Sequence, residues 1–322
     1  MGIGPEVGPA GTAWYPRRVN FFSLLFPDFS LILVGWLVCR YTALGRPVWQ
    51  QVDGLVYYFL FPALLFHAIV RKPLDLGATS GLIGAALALA AAGITLSYLV
   101  PHLPWLRHHI DRREHAASAQ IGFRFNSFIT LAIVDRLVGA PGVALVAVLI
   151  GICVPLFNVA AVWPMARHAN THFGSALIRN PLIVGTVSGF LANLAGLSIP
   201  GWLEPTVSRI GETSIALGLL AAGAGMQFAS LNRAKALAVA ELAIKHFWMP
   251  LAALVLARLF HLDTLQTTVL LTFSAMPTAP SCYVLAAKMG YNGPLIGALV
   301  TLSTALGAVS LTFALGLLLP LA

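Results

Sequence analysis

Charge is what this sequence has least of. Only 9% of its 322 residues are Asp, Glu, Lys or Arg, against roughly 25% in an average soluble domain. With 58% hydrophobic residues and a mean hydropathy of +0.85, the chain has too little polar surface for a soluble globular domain and reads as an integral membrane protein. Cysteine is scarce as well. Cys39, Cys153 and Cys282 lie in or beside apolar runs without CxxC spacing, which argues for packing over metal or disulfide chemistry and fixes no redox compartment. There is no HExxH, no paired aspartate-rich motif and no GxSxG, so catalysis has little to use and no enzyme is expected. The loop "RHHIDRREH", residues 107–115, holds His108, His109 and His115 without regular ligand spacing. It is expected to be a solvated basic loop, with neither a metal nor a cofactor bound. The net charge of +8 comes from basic residues placed one to three at a time between apolar runs, a topology pattern rather than a nucleic-acid surface.

What is present is length enough to cross a bilayer many times. A span needs about 20 apolar residues. Ten such runs occur, near 21–40, 53–70, 79–100, 116–136, 141–163, 180–197, 209–228, 236–259, 266–287 and 293–317. The first eighteen residues, rich in Gly and Pro, have no signal-peptide core and read as a disordered tail before an uncleaved first span. Ten spans put both termini on one side. Lysine and arginine counts, ten opposite the termini and seven beside them, place the termini outside the cytoplasm.

Ten spans can also be two sets of five. Adding 151 to a residue number carries Gly45 onto Gly196, Gly139 onto Gly290, Gly142 onto Gly293 and Asn126 onto Pro277. Because five is odd, a second copy must enter the membrane upside down, which makes an inverted repeat with residues 19–163 as one half and 164–322 as the other. In such folds freed backbone groups near the bilayer midplane bind substrate. The ninth span supplies the break. In "TFSAMPTAPSCYVLA", Pro277 strands the carbonyl of Phe273 and Pro280 that of Met276. Thr278 and Ser281, with amides at the start of the second half-helix, form a candidate anion cradle there; a packing kink is the alternative.

The matched position in the fourth span, "QIGFRFNSF", has no proline but carries Arg124, Asn126 and Ser127 where a charge costs about 2.5 to 3.5 kcal/mol. Arg124 offers a fork of donors suited to a carboxylate, and Asn126 an amide that can donate to one. The alternatives are that Arg124 pairs with an acid such as Glu212 or snorkels, and that Asn126 only joins helices. Glu212 and Asp28 are candidates for a coupling proton, or else sit near a membrane surface. Glu241 and Lys245, spaced i, i+4, read as an intrahelical ion pair, and His67 as a packed or helix-end histidine.

The segments "GFRFNSF", "RNPLIVGTVSGF" at 179–190, "GLLAAGAGM" at 218–226 and "MPTAPSCYVLAAKMG" resemble the auxin efflux carrier family of transporters over essentially the whole chain after the tail. Asn180 with Pro181 and the proline-rich break are the most specific pieces. The resemblance implies an all-α fold of ten spans in two inverted five-helix repeats whose broken fourth and ninth spans cross, as in sodium/proton antiporters. It implies export or exchange of a small organic anion such as malonate, malate or an auxin-like acid, by a multi-pass protein of the plasma (inner) membrane. Asn126 matches the family's polar position in the fourth span, and Pro277 and Pro280 match the ninth. Plant relatives have a proline several residues after that asparagine, and its absence here argues against two equivalent breaks. The expected partners are a small carboxylate, the lipid bilayer and, as one option, a second copy of the chain; nucleic acid is not among them. The competing readings are a sodium-coupled symporter, which needs clustered acidic or carbonyl ligands, and a channel or sensor on the same fold.

Overall fold

A computed structural model describes residues 21–70, 80–168, 181–225 and 234–321. The expected tail and Asn180 lie outside these residues. Every element among them is helical, and none is a strand. Four helices, Ser80–His102, Pro141–Arg167, Lys235–Leu259 and Gly293–Leu321, are long and apolar enough to cross a membrane. They coincide with the third, fifth, eighth and tenth expected spans.

The remaining helices are shorter or interrupted, and each interruption has a local cause. Helix α1 is Phe21–Tyr41. Helix α2, Arg46–Leu55, runs through a π-helical turn at Val56–Leu60 into α3, Phe61–Val70. It starts seven residues before the expected 53, because hydropathy discounts its polar residues, whereas the fold buries one of them, Asp53, beneath the Tyr283 hydroxyl at 3.0 Å. Helix α4 is Ser80–Leu99. Helix α5, Arg112–Ser118, is opened by Asp111, whose carboxylate accepts from Arg113 N at 2.7 Å and Glu114 N at 3.1 Å. The expected solvated loop at 107–115 is thereby shortened, and His115 is carried inside.

Helix α6, Gln120–Phe123, ends at an extended Arg124 (φ −76°, ψ 154°). Helix α7, Ser127–His168, is two helices joined at Gly139, whose φ of 66° only glycine adopts without strain. Helix α8 is Pro181–Leu194 and α9 is Glu204–Ala224. Helix α10, Lys235–Ala243, passes through a π-helical turn at Ile244–Trp248 into α11, Met249–Leu259. Helix α12, Thr264–Ala275, ends at an extended Met276 (φ −63°, ψ 144°), and α13, Ser281–Lys288, begins after Pro280. Gly290, with φ 77°, closes α13: its own amide reaches Ala287 O at 3.2 Å while Tyr291 N reaches Ala286 O at 3.0 Å. Helix α14 is Gly293–Leu311, continued by a π-helical turn. Gly139 and Gly290, related by the 151-residue offset, thus both take a positive φ after the second half of an interrupted helix.

Two sets of helices pack among themselves. One joins α1 to α9 and α3 to α8 and α9; the other joins α4, α6, α7, α11, α12, α13 and α14; the two meet where α1 packs on α14 and α7 on α8. The first set is held by close backbone approach. A side chain at Gly35 would lie 2.0 Å from Leu220 O, and one at Gly223 would lie 1.8 Å from Ile32 O, so α1 and α9 touch as only glycines permit. The outward face of α8 exposes Val184, Val187, Leu191 and Leu194 at helical spacing, a surface suited to hydrocarbon.

Candidate functional site

The two interruptions at 124–126 and 276–280 lie against each other. Asn126 N donates to Pro277 O at 2.8 Å, and the Thr278 hydroxyl donates to Ile121 O at 2.8 Å. Gln120 Nε2 reaches Cys282 O at 3.3 Å. Each break therefore supplies partners for backbone groups that the other leaves open, as hydrocarbon depth requires.

The break after α6 corrects the expectation of unequal spans. No proline forces it. Arg124 takes an extended conformation, and Asn126 caps the helix that follows by accepting from Ile129 N at 3.3 Å. The side chain of Thr130 returns to Asn126 O at 2.7 Å. A cap and a cross-break hydrogen bond replace what proline does at 277 and 280.

Arg124 is buried, and its guanidinium is spread over three neutral oxygens. Nη1 donates to Gln120 Oε1 at 2.9 Å, while Nη2 donates to Asn158 Oδ1 at 3.0 Å and Ser281 Oγ at 2.7 Å. Among the described residues no carboxylate pairs with it; the ion pairs there are His67 with Glu204 at 3.1 Å and His115 with Glu241 at 3.6 Å. These hydrogen bonds hold the fork in place, yet they leave its positive charge unneutralised. A fixed buried cation of this kind attracts an anion strongly, because little solvent screens it.

A cavity of about 70 Å³ opens at this point. That is about five times the 10 to 15 Å³ one water needs, so it admits a few waters or a small polyatomic ion. Its polar wall is Arg124, Asn126, Ser127, Asn158 and Ser281, with Pro280 beside them; Phe61, Leu64 and Phe157 are prominent in its apolar wall. Arg124, Asn126, Ser127, Pro280 and Ser281 are thus brought together. Pro277 and Thr278 lie off the cavity. Pro277 packs where a side chain at Gly307 would stand, 3.2 Å from its ring, and Thr278 is turned into the protein, its amide donating to Ser303 Oγ at 2.9 Å. The first turn of α13 spends amides internally, Cys282 N on Ala279 O and Tyr283 N on Pro280 O, both at 3.1 Å. The cradle offered to an anion here is the Arg124 fork with the Ser281 hydroxyl more than a ring of amides.

Asp28 and Glu212 lie in α1 and α9, but their side chains fall outside the described residues. The Glu241 and Lys245 ion pair is not formed. The π-helical turn at Ile244–Trp248 begins three residues after Glu241 and displaces Lys245 from the i, i+4 register, so Glu241 faces His115 instead. Asn158 and Phe61 escape sequence reasoning. Asn158 did leave a signal, an amide alone in the apolar run "CVPLFNVAAVW".

Comparison with known proteins supports the transporter reading. Residues 163–315 match the family model described as "Membrane transport protein". The chain is 22% identical over 283 residues to the uncharacterized transporter YfdV of Escherichia coli K12, covering 83% of this chain and 88% of that protein. The same figures hold for the YfdV proteins of Escherichia coli O157:H7 and Shigella flexneri. A family match running through the proline-rich break, together with an alignment to transporters over most of the chain, makes this multi-pass membrane protein similar to membrane transport proteins.

Proposed function

We propose that this protein is a secondary transporter of a small carboxylate, exporting or exchanging it by alternating access across the plasma (inner) membrane. The observation that carries the reading is Arg124: a buried guanidinium without a carboxylate partner among the described residues, facing a small cavity where two interrupted helices meet. The cavity size suits a compact mono- or dicarboxylate. Ten spans in two inverted five-helix repeats, 19–163 and 164–322, give the reading its architecture, and the positive φ shared by Gly139 and Gly290 supports that offset. The two packing sets supply a division of labour. The set of α1, α3, α8 and α9 serves as scaffold, and the set holding both breaks moves against it, carrying Arg124 from one side to the other. Phe61 and Leu64 of α3 form the scaffold's wall of the cavity, so the motion opens the site along that seam.

Thermal-shift screening of the purified protein against mono- and dicarboxylates tests this, since a ligand bound only by the folded state raises its apparent stability. A carboxylate that stabilises the wild type but not Arg124→Gln is expected, followed by saturable counterflow of that compound in proteoliposomes. Conductance without saturable counterflow would instead identify a channel.

A further inference from the structure

Outside the Arg124 cavity, α10 and the turn that follows it bury two charged side chains. Glu241 is fully buried at 0% exposure and Lys245 at 1%, and the Glu241 carboxylate has no neighbouring donor that is not already engaged except the Ser97 hydroxyl. Its nearest opposite charge is His115 of α5, with Nε2 3.6 Å from Oε1. That nitrogen also lies 2.8 Å from Ser97 O, and because a carbonyl only accepts, Nε2 carries a hydrogen and donates it there. The carboxylate is therefore left with the neutral Ser97 hydroxyl as its one neighbouring donor. An ionised carboxylate so placed is relieved in one of two ways: it takes up a proton, or it meets a donor after the packing changes.

Its position ties it to the breaks. A side chain at Gly122 would lie 2.9 Å from Glu241 Oε2 and 2.1 Å from Ser97 Oγ, so both oxygens press on the backbone of α6, two residues before Arg124. The other interruption is reached from the same helix. His246 Nε2 meets Ser303 Oγ at 2.9 Å, and Ser303 donates to Thr278 Oγ1 at 3.1 Å. The groups that face Glu241 are His115 from α5 and Ser97 from α4, while Lys245 and His246 lie in the π-helical turn further along its own helix line. Cys282 of α13 stands beside Lys245, and His102, in the exposed turn after α4, is held by Nδ1 to Tyr98 O.

We propose that Glu241 is the proton-coupling site of this transporter, a role that rests on the small-carboxylate reading of the Arg124 cavity. The sign of the coupling follows from charge. An anion bound at Arg124 and an ionised Glu241 against the same short helix repel, so anion binding favours the protonated acid, and protonation of the acid favours anion binding by the same factor. One proton then travels with one anion. The neutral acid packs against α6 in the enclosed conformation, and its proton leaves when the moving set exposes that face.

The test uses the full chain in proteoliposomes with malonate as probe, at pH values above malonate's own second ionisation. Wild-type protein should bind malonate more weakly by up to about tenfold for each pH unit of increase and should take up a proton on binding, read by calorimetry in buffers of different ionisation enthalpy. Glu241→Gln, which keeps the shape of the protonated acid, should retain malonate counterflow with pH-independent affinity and lose malonate accumulation driven by a pH gradient. Accumulation retained in Glu241→Gln, or driven by a sodium gradient in wild type, overturns the proposal. If Glu241→Gln does not fold, wild-type calorimetry decides alone, and malonate binding without proton uptake overturns it. Wild-type counterflow of malonate with no response to a pH gradient removes the Glu241 role and leaves the transporter reading standing. Failure of every carboxylate to bind wild type removes both.

Discussion

Between α12 and α13 the chain is interrupted by covalent chemistry: Pro277 and Pro280 have no amide hydrogen, and the carbonyls of Phe273 and Met276 lose their helical donors whatever surrounds them. Between α6 and α7 no such residue exists. That break is held open by an asparagine cap on Ile129 N, by an extended Arg124, and by the bond from Asn126 N to Pro277 O. The first break stands on its own bonds, whereas the second exists partly because the first is beside it. Equivalent geometry therefore does not require equivalent residues, provided that one partner fixes the register for both.

Arg124→Gln separates binding from architecture most sharply. Charge-assisted hydrogen bonds contribute about 1.5 to 3 kcal/mol, so carboxylate affinity should fall by about tenfold to a hundredfold while the melting temperature stays or rises. Isothermal titration with the carboxylate found by screening measures this. Unchanged affinity would mean that Arg124 serves only to join Gln120, Asn158 and Ser281.

Thr278→Val and Ser281→Ala contrast the two hydroxyls of the proline-rich break. Thr278 caps Ile121 O and receives Ser303, so its loss leaves a buried carbonyl unsatisfied and should destabilise the protein by about 1 to 3 kcal/mol with affinity intact. Ser281 faces the cavity, and its loss should weaken affinity a few-fold at nearly constant stability. Denaturation in detergent and ligand titration on the same two variants distinguish them. Affinity lost in Thr278→Val at unchanged stability would place that hydroxyl in the site after all.

Asn126→Ala tests the break that lacks proline. Removing the cap should cost about 1 kcal/mol, and Asn126→Asp or Asn126→Ser should recover most of it. Pro277→Ala should add to this loss non-independently, because the two breaks share a hydrogen bond; a double-mutant cycle reads the coupling. Strict additivity would mean that the breaks are independent.

The smallest contrast compares Gly139→Ala with Gly290→Ala. Both positions have positive φ and open space where a side chain would stand, so strain alone acts, at about 1 to 3 kcal/mol each. Equal losses in thermal unfolding support equivalent helix ends in the two halves. A clear inequality argues against the repeat.

The legible parts of the site are those whose cause is local. A buried arginine inside "GFRFNSF" marks itself by charge, and Ser281 and Pro280 by their place in the proline-rich run. Thr278 misleads, because sequence shows a hydroxyl beside a break without showing which way it points. Asn158 and Phe61 come from helices whose own patterns are merely apolar, and only their neighbours make them a wall of the cavity. The Glu241 and Lys245 pairing follows correctly from helical spacing and fails because a π-helical turn, which no local motif announces, intervenes.

Sequence alone determined that the chain lives in a membrane, is helical among its described residues, and is broken at residues 276–280, since hydropathy and a missing amide hydrogen act within a few residues of where they are read. Tertiary structure alone decided that a second break forms at 124–126, that Thr278 turns inward, and that Glu241 faces His115 from another helix. Each of these depends on a hydrogen bond or a packed contact between residues more than a hundred positions apart, and such partners exist only after the helices have assembled.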